Sequence, residues 1–180
     1  KALKATGEIE GYASTFGGEP DSYGDVIAPG AYTDSLAEHA AKGTMPKMFW
    51  QHDSREPIGK WLEAQEDAKG LLMRGKLNMG VQRAKEAYAL LKEGDIDGLS
   101  IGYRTIKEKR DSVKSANLLE ELDLIETSVV SLGSNDLALV DAVKQIRGDE
   151  LPSLSEFEGF LREAGFSKTE ATAIAGNGLS

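Results

Sequence analysis

Ser100 sits in "GLSIG" (98 to 102), and a serine hydroxyl becomes a useful nucleophile only when an adjacent base takes its proton. The chain offers two histidines for that role, His39 and His52, and has no cysteine for a thiolate route. His39 follows Tyr32 and Leu36 at helical spacing, which reads as an ordinary, partly buried helix position. His52 follows the apolar "MFW" at the end of a predicted strand, where a side chain can emerge from a rigid element into a cleft. A third group must then accept a hydrogen bond from the imidazole. In "LLEELDLIETSVV" (118 to 130), strict alternation puts Glu126 on the face of Leu122, Leu124, Ser128 and Val130, and Glu121, Asp123, Ile125 and Thr127 on the other. A carboxylate on a mostly apolar face requires a hydrogen-bond partner. His52 is the functional candidate and Arg104, on the face of Ser100, the structural one; Asp53 and Asp97 are alternative acceptors.

The neighbours of Ser100 raise a second point of chemistry. Gly98 and Gly102 share its face, whereas Leu99, Ile101 and Tyr103 point the other way. Glycine weakens a strand, so two of them beside a hydroxyl suggest cleared ground on which an extended substrate strand could lie. The plainer reading is a glycine bend that happens to hold a serine. "GLSIG" also matches the G-x-S-x-G spacing of esterase elbows, but that motif belongs on a strand-to-helix turn, and "YRTIKEK" continues as an alternating strand. The His-Asp pair at 52 and 53 could suggest a metal-dependent phosphohydrolase, yet two histidines cannot supply the several ligands such a site needs.

The elements that must position these residues are legible in outline. "GEIEGYASTFG" (7 to 17) alternates as a strand, and the turn-rich 20 to 32 holds a short strand at Val26 and Ile27. A helix follows and stops at Gly43, then a strand-like 45 to 53, two strands joined by a polar turn in 57 to 78, and an amphipathic helix over 81 to 94 closed by Gly94. A strand from Ser100 to about Lys107, a charged connection (108 to 116) and a long strand (118 to 132) complete this part. From about Arg147 the pattern changes. "SLSE" (153 to 156) and "SKTE" (167 to 170) both match the capping box, the first ahead of Phe157, Phe160, Leu161 and Ala164 on one helical face.

Composition bounds the class of protein. The 180 residues are 40% hydrophobic and 28% charged, which suits one globular domain with a small appendage. No apolar run approaches the roughly 20 residues of a membrane span, and no secretory signal opens the chain, so a soluble, intracellular protein is expected. The net charge of -9 and the lack of a Lys/Arg stripe argue against a nucleic-acid partner.

Taken together, the residues resemble the prohead serine proteases of tailed bacteriophages, a family related in fold to the herpesvirus assemblins. The resemblance is carried, in order, by "EGYASTFGGEPDSYGDVIAPGAY" (10 to 32), "QHDSREPIGKW" (51 to 61), "LKEGDIDGLSIGY" (91 to 103), "LDLIETSVVSLGSN" (122 to 135) and "LSEFEGFLREAGFSKTEATAIA" (154 to 175). It implies an α+β fold: a mainly antiparallel, β-barrel-like core with flanking helices, the nucleophile and histidine on strands, and a short helical C-terminal tail. Residues 1-146 would form the protease domain, and 147-180 a tail that docks on scaffold or is self-cleaved.

The resemblance also implies roles. Ser100 is the nucleophile, His52 the general base, and Glu126 stands where assemblins have a second histidine. Backbone N–H groups of Ser134 and Asn135 are the oxyanion candidates, although Gly133 departs from the family pattern just before them. The implied activity is that of a serine endopeptidase without cofactor or metal, which cuts scaffold, extensions of the major capsid protein and its own termini inside the assembling prohead in the host cytoplasm. Self-association is a further expectation by analogy with assemblins. A non-catalytic module that binds scaffold or capsid while keeping the fold is the rival reading.

Overall fold

The computed structural model describes residues 7–112, 115–133, 135, 137–140, 158, 161–162 and 167–178. The elements follow one another as β1 (Glu8–Thr15), β2 (Asp25–Ile27), α1 (Thr33–Lys42), β3 (Lys47–Trp50), β4 (Asp53–Glu66), β5 (Gly70–Leu77), α2 (Gln82–Glu93), β6 (Gly98–Asp111), β7 (Ala116–Val130) and, among the described residues of the C-terminal part, α3 (Lys168–Gly178). The period-two pattern of β1 is realised as alternating burial, with Ile9 and Ala13 in the core. Both α1 and α2 end where glycine adopts the left-handed conformation, at Gly43 (φ 63°) and Gly94 (φ 74°). The capping box foreseen at Ser167 and Glu170 is formed, each side chain accepting the other's backbone N–H. Phe157, Phe160, Ala164 and the "SLSE" box lie outside the described residues.

The strands form one curled sheet, in the order β1-β5-β4-β3-β7-β2, with β6 paired to β7. Most pairs are antiparallel as expected, but β2 and β3 both run parallel to β7, so the sheet is mixed. The ring is drawn together by residues 138–140. Leu139 bridges to Gly98 of β6, and its carbonyl accepts the N–H of Tyr12 in β1. Inside lie Tyr32, Met48, Ile58, Trp61, Met73, Leu99, Leu122 and Leu124, with α2 supplying Ala84, Ala87 and Leu91. Apart from this core, Leu161, Ala171 and Ala175 form a small cluster of their own.

Three departures from the sequence reading matter for the site. β3 stops at Trp50, so His52 lies in the turn to β4 and not on a strand. The charged stretch after Lys107 is a strand: β6 continues to Asp111, with Lys107 and Lys109 paired to Glu120 across the hairpin. The strict alternation of β7 also fails. Gly102 is opposite Glu126 but Tyr103 is opposite Leu124, which leaves Ile125 as an extra residue, a β-bulge. Leu122 and Leu124 therefore face the core while Glu126 and Ser128 are turned to the outer face.

Closure makes one glycine indispensable. A Cβ on Gly11 would lie 2.5 Å from the Leu139 carbonyl oxygen and 2.7 Å from the Val140 Cα, both backbone atoms that cannot rotate aside. Gly11→Ala is expected to lower stability by about 1–3 kcal/mol, the usual range for an overpacked site. It would be read as a lower urea midpoint with an unchanged slope.

Candidate active site

His52 is presented by the two-residue turn between β3 and β4. Trp50 pairs with Asp53, and both Gln51 (φ 54°) and His52 (φ 60°) have positive φ, as a type I′ hairpin turn requires. Side chains other than glycine reach this region at a cost, which persists only where surrounding contacts hold the backbone. Here the Gln51 N–H donates to the Val129 carbonyl (2.9 Å), and the Gln51 amide both donates to the Ser131 hydroxyl (2.7 Å) and accepts the Ser131 N–H (3.3 Å).

From that turn, Nδ1–H of His52 donates to Oε1 of Glu126 at 2.5 Å. Glu126 is only 7% exposed, so its charge needs donors, and the second is the Ser128 hydroxyl, 2.6 Å from Oε2. A carboxylate only accepts, so the proton between His52 and Glu126 sits on Nδ1 and Nε2 keeps its lone pair. The Glu126 hydrogen bond raises the His52 pKa above 6.5; burial opposes this, and Glu126's charge adds to the rise.

Ser100 lies across the ladder from Ser128 on the same outer face, and diagonally from Glu126, a spacing of about 7–8 Å in a sheet. It is 8% exposed, and its hydroxyl has no hydrogen-bond partner among the described residues, His52 included. The structure thus joins His52 to Glu126 directly and sets Ser100 beside that pair on the neighbouring strand. The other candidates are otherwise engaged. Asp53 pairs with Arg55, whose hydrogen bonds hold the carboxyl down to about 2, and Arg104 pairs with Asp123. His39 packs as a helix residue, its Nε2–H donating to the Leu124 carbonyl (3.0 Å) and its Nδ1 accepting from Thr44 (2.9 Å).

The two glycines serve the protein itself. A Cβ on Gly102 would overlap the Glu126 carboxylate, 2.9 Å from Cδ, and one on Gly98 would lie 2.8 Å from the Val130 carbonyl oxygen. The space that the sequence reading assigned to a substrate strand at Gly102 is filled by Glu126. Ser128, whose hydroxyl donates to Glu126, was not singled out from the sequence; its one signal is the i, i+2 spacing from Glu126 in "ETS". Of the oxyanion candidates, Ser134 lies outside the described residues. The Asn135 side chain donates to Thr15 Oγ1 (2.9 Å) and accepts the Leu137 N–H (2.9 Å), which ties this loop to β1.

The comparisons with known proteins agree on one family. A family model described as caudovirus prohead serine protease matches residues 1–151. The prohead protease of Enterobacteria phage HK97 is 33% identical over 96% of this chain and 77% of that protein. That of Escherichia phage T5 is 29% identical over 93% and 81%. Among solved structures, the bacteriophage T4 capsid assembly protease superposes with a TM-score of 0.56 at 10% identity, covering 68% of this chain and 80% of that one, which is a likeness of fold.

Since pairing with Glu126 favours the protonated imidazole, this bond stabilises the fold fully below pH 6.5 and loses that contribution as pH rises through the higher, folded-state value. An NMR titration is expected to place the His52 midpoint above 6.5. In Glu126→Gln the elevation should vanish, because burial then acts unopposed.

Proposed function

The chain belongs to the caudovirus prohead serine protease family, and on that premise we propose that Ser100, His52 and Glu126 are its catalytic triad, acting on capsid assembly proteins. The observation that carries this reading is the 2.5 Å bond from His52 Nδ1–H to a buried Glu126, with Ser100 on the adjacent strand. The bond leaves Nε2 as the free base. Nε2 takes the Ser100 proton while Oγ attacks the scissile carbonyl, and Glu126 stabilises the imidazolium that results. The imidazolium then passes its proton to the leaving amine, and an acyl-enzyme remains. A water deprotonated by the same nitrogen attacks the ester, and Ser100 is restored.

Transfer requires Ser100 Oγ and Nε2 to come within hydrogen-bond reach, and such contacts commonly tighten only when substrate is bound. Backbone N–H groups of the loop after β7, at Ser134 and Asn135, would receive the developing oxyanion. Ser128 acts through Glu126: its hydroxyl fixes the carboxylate in the orientation that His52 uses. Relatives named for the prohead and a fold neighbour named for capsid assembly support scaffold or capsid-protein extensions as substrates, with the protease's own termini among them, inside the assembling shell.

Ser100→Ala and His52→Ala should fold and lose about 10^4-fold or more in peptide hydrolysis. Time-dependent shortening of the freshly expressed chain should stop with them. For the parent, kcat/KM should climb with pH through the raised His52 pKa, since only the neutral imidazole can act as base. Ordinary cleavage by Ser100→Ala would dismiss the triad.

We further propose that residues 147–180 are a separable tail that docks on scaffold. The separate cluster of Leu161, Ala171 and Ala175 supports this division. A chain lacking 148–180 should still cut peptides but fail to enter assembling proheads, which an incorporation assay with sedimented particles would read. Normal incorporation would reject the role.

A further inference from the structure

Both histidines of this chain reach β7, and they reach it two residues apart: His52 at the Glu126 carboxylate and His39 at the Leu124 carbonyl. A carbonyl only accepts, so Nε2 of His39 carries the proton that it donates there (3.0 Å). The ring is oriented from its other side as well. Thr44, just past the end of α1, donates its hydroxyl to Nδ1 (2.9 Å) and its N–H to the His39 carbonyl (2.9 Å). One turn earlier on the helix, the buried Ser35 hydroxyl accepts the Leu124 N–H (2.9 Å).

Ser35 and His39 therefore treat Leu124 as an adjacent strand would, one taking its N–H and the other supplying a donor to its carbonyl. The residue they hold is the last before the bulge at Ile125. An extra residue in a strand can sit at more than one point, and each step of one position reverses the face of the side chain it passes. Moved beyond Glu126, the bulge would return that carboxylate to the side of Leu122 and Leu124, away from His52. Apolar packing would keep α1 on the sheet without choosing between these registers. Two directed hydrogen bonds to one residue do choose.

We propose that Ser35 and His39 are positioning residues for the reaction: their grip on Leu124 fixes the bulge and thereby aims Glu126 at His52. This rests on the reading of Ser100, His52 and Glu126 as the triad. Neither residue is catalytic; each acts through the backbone of β7.

In the full chain, His39→Leu removes the donor, His39→Gln retains an N–H of similar reach, and Ser35→Ala removes the acceptor. Melting curves would set an assay temperature at which all three are folded. The substrate would be a peptide, chosen from a library of known sequences, that the parent cuts and Ser100→Ala does not. His39→Leu and Ser35→Ala should each lower kcat by about tenfold with little change in KM, the pattern of a displaced catalytic group and not of lost substrate binding. The His52 NMR midpoint should fall in both, because its elevation comes from the Glu126 hydrogen bond; with two histidines in the chain, the His39 variants also assign its signal. His39→Gln should recover most of both losses. A parental kcat or a parental His52 midpoint in the folded His39→Leu and Ser35→Ala chains would overturn the clamp and leave the triad standing. If the library yields no Ser100-dependent cut, the triad falls, and the His52 midpoint alone decides whether α1 aims Glu126.

Discussion

A carboxylate held almost out of water is the constraint around which this end of the barrel is arranged. The Glu126 carboxylate is satisfied by two donors that reach it from different parts of the chain, the His52 imidazole and the Ser128 hydroxyl. Each requirement propagates outward. The carboxylate needs an empty position across the ladder, which Gly102 provides, and it needs the strand to turn Glu126 away from the core, which the bulge at Ile125 does. A regular strand with the same composition would have buried it among leucines.

The bulge in turn needs support, since it interrupts the ladder. On its outer edge β7 is paired with β2 at Asn117 to Leu119 and with β3 at Glu126 to Val129, and the span between has no strand beside it. Helix α1 and its lead-in fill this gap. The Ala31 carbonyl accepts the Leu122 N–H, the Ser35 hydroxyl accepts the Leu124 N–H, and His39 donates to the Leu124 carbonyl. The peptide just before the bulge is thus held from one side by a helix and from the other by β6. His39, which reads in the sequence as a mere helix position, closes the chain of contacts that ends at Glu126.

Local chemistry was legible in the sequence and long-range geometry was not. Glycine stops at Gly43 and Gly94, the Ser167–Glu170 box and the strand at Ser100 follow from neighbours within a few residues. Glu126 was singled out by an alternation that the bulge breaks, so the register corrects its face assignment while the hydrogen bond to His52 is present. Nothing in "QHD" announces that Gln51 and His52 take left-handed backbone conformations; that depends on Val129 and Ser131, far along the chain. The ring closure through Leu139 was equally hidden, because a single bridged residue leaves no periodic trace. The family pattern could point to Ser100, His52 and Glu126 as a set, whereas Ser128 became visible only when its hydroxyl was found on the carboxylate.

The tight reversal carrying His52 implies an opposition between durability and work. Asparagine followed by glycine is the pair best suited to such a bend, and replacing Gln51 and His52 with it would relieve backbone strain and sharpen the hairpin. It would also delete the imidazole. On the role proposed for His52, stability and activity would pull these two positions in contrary directions.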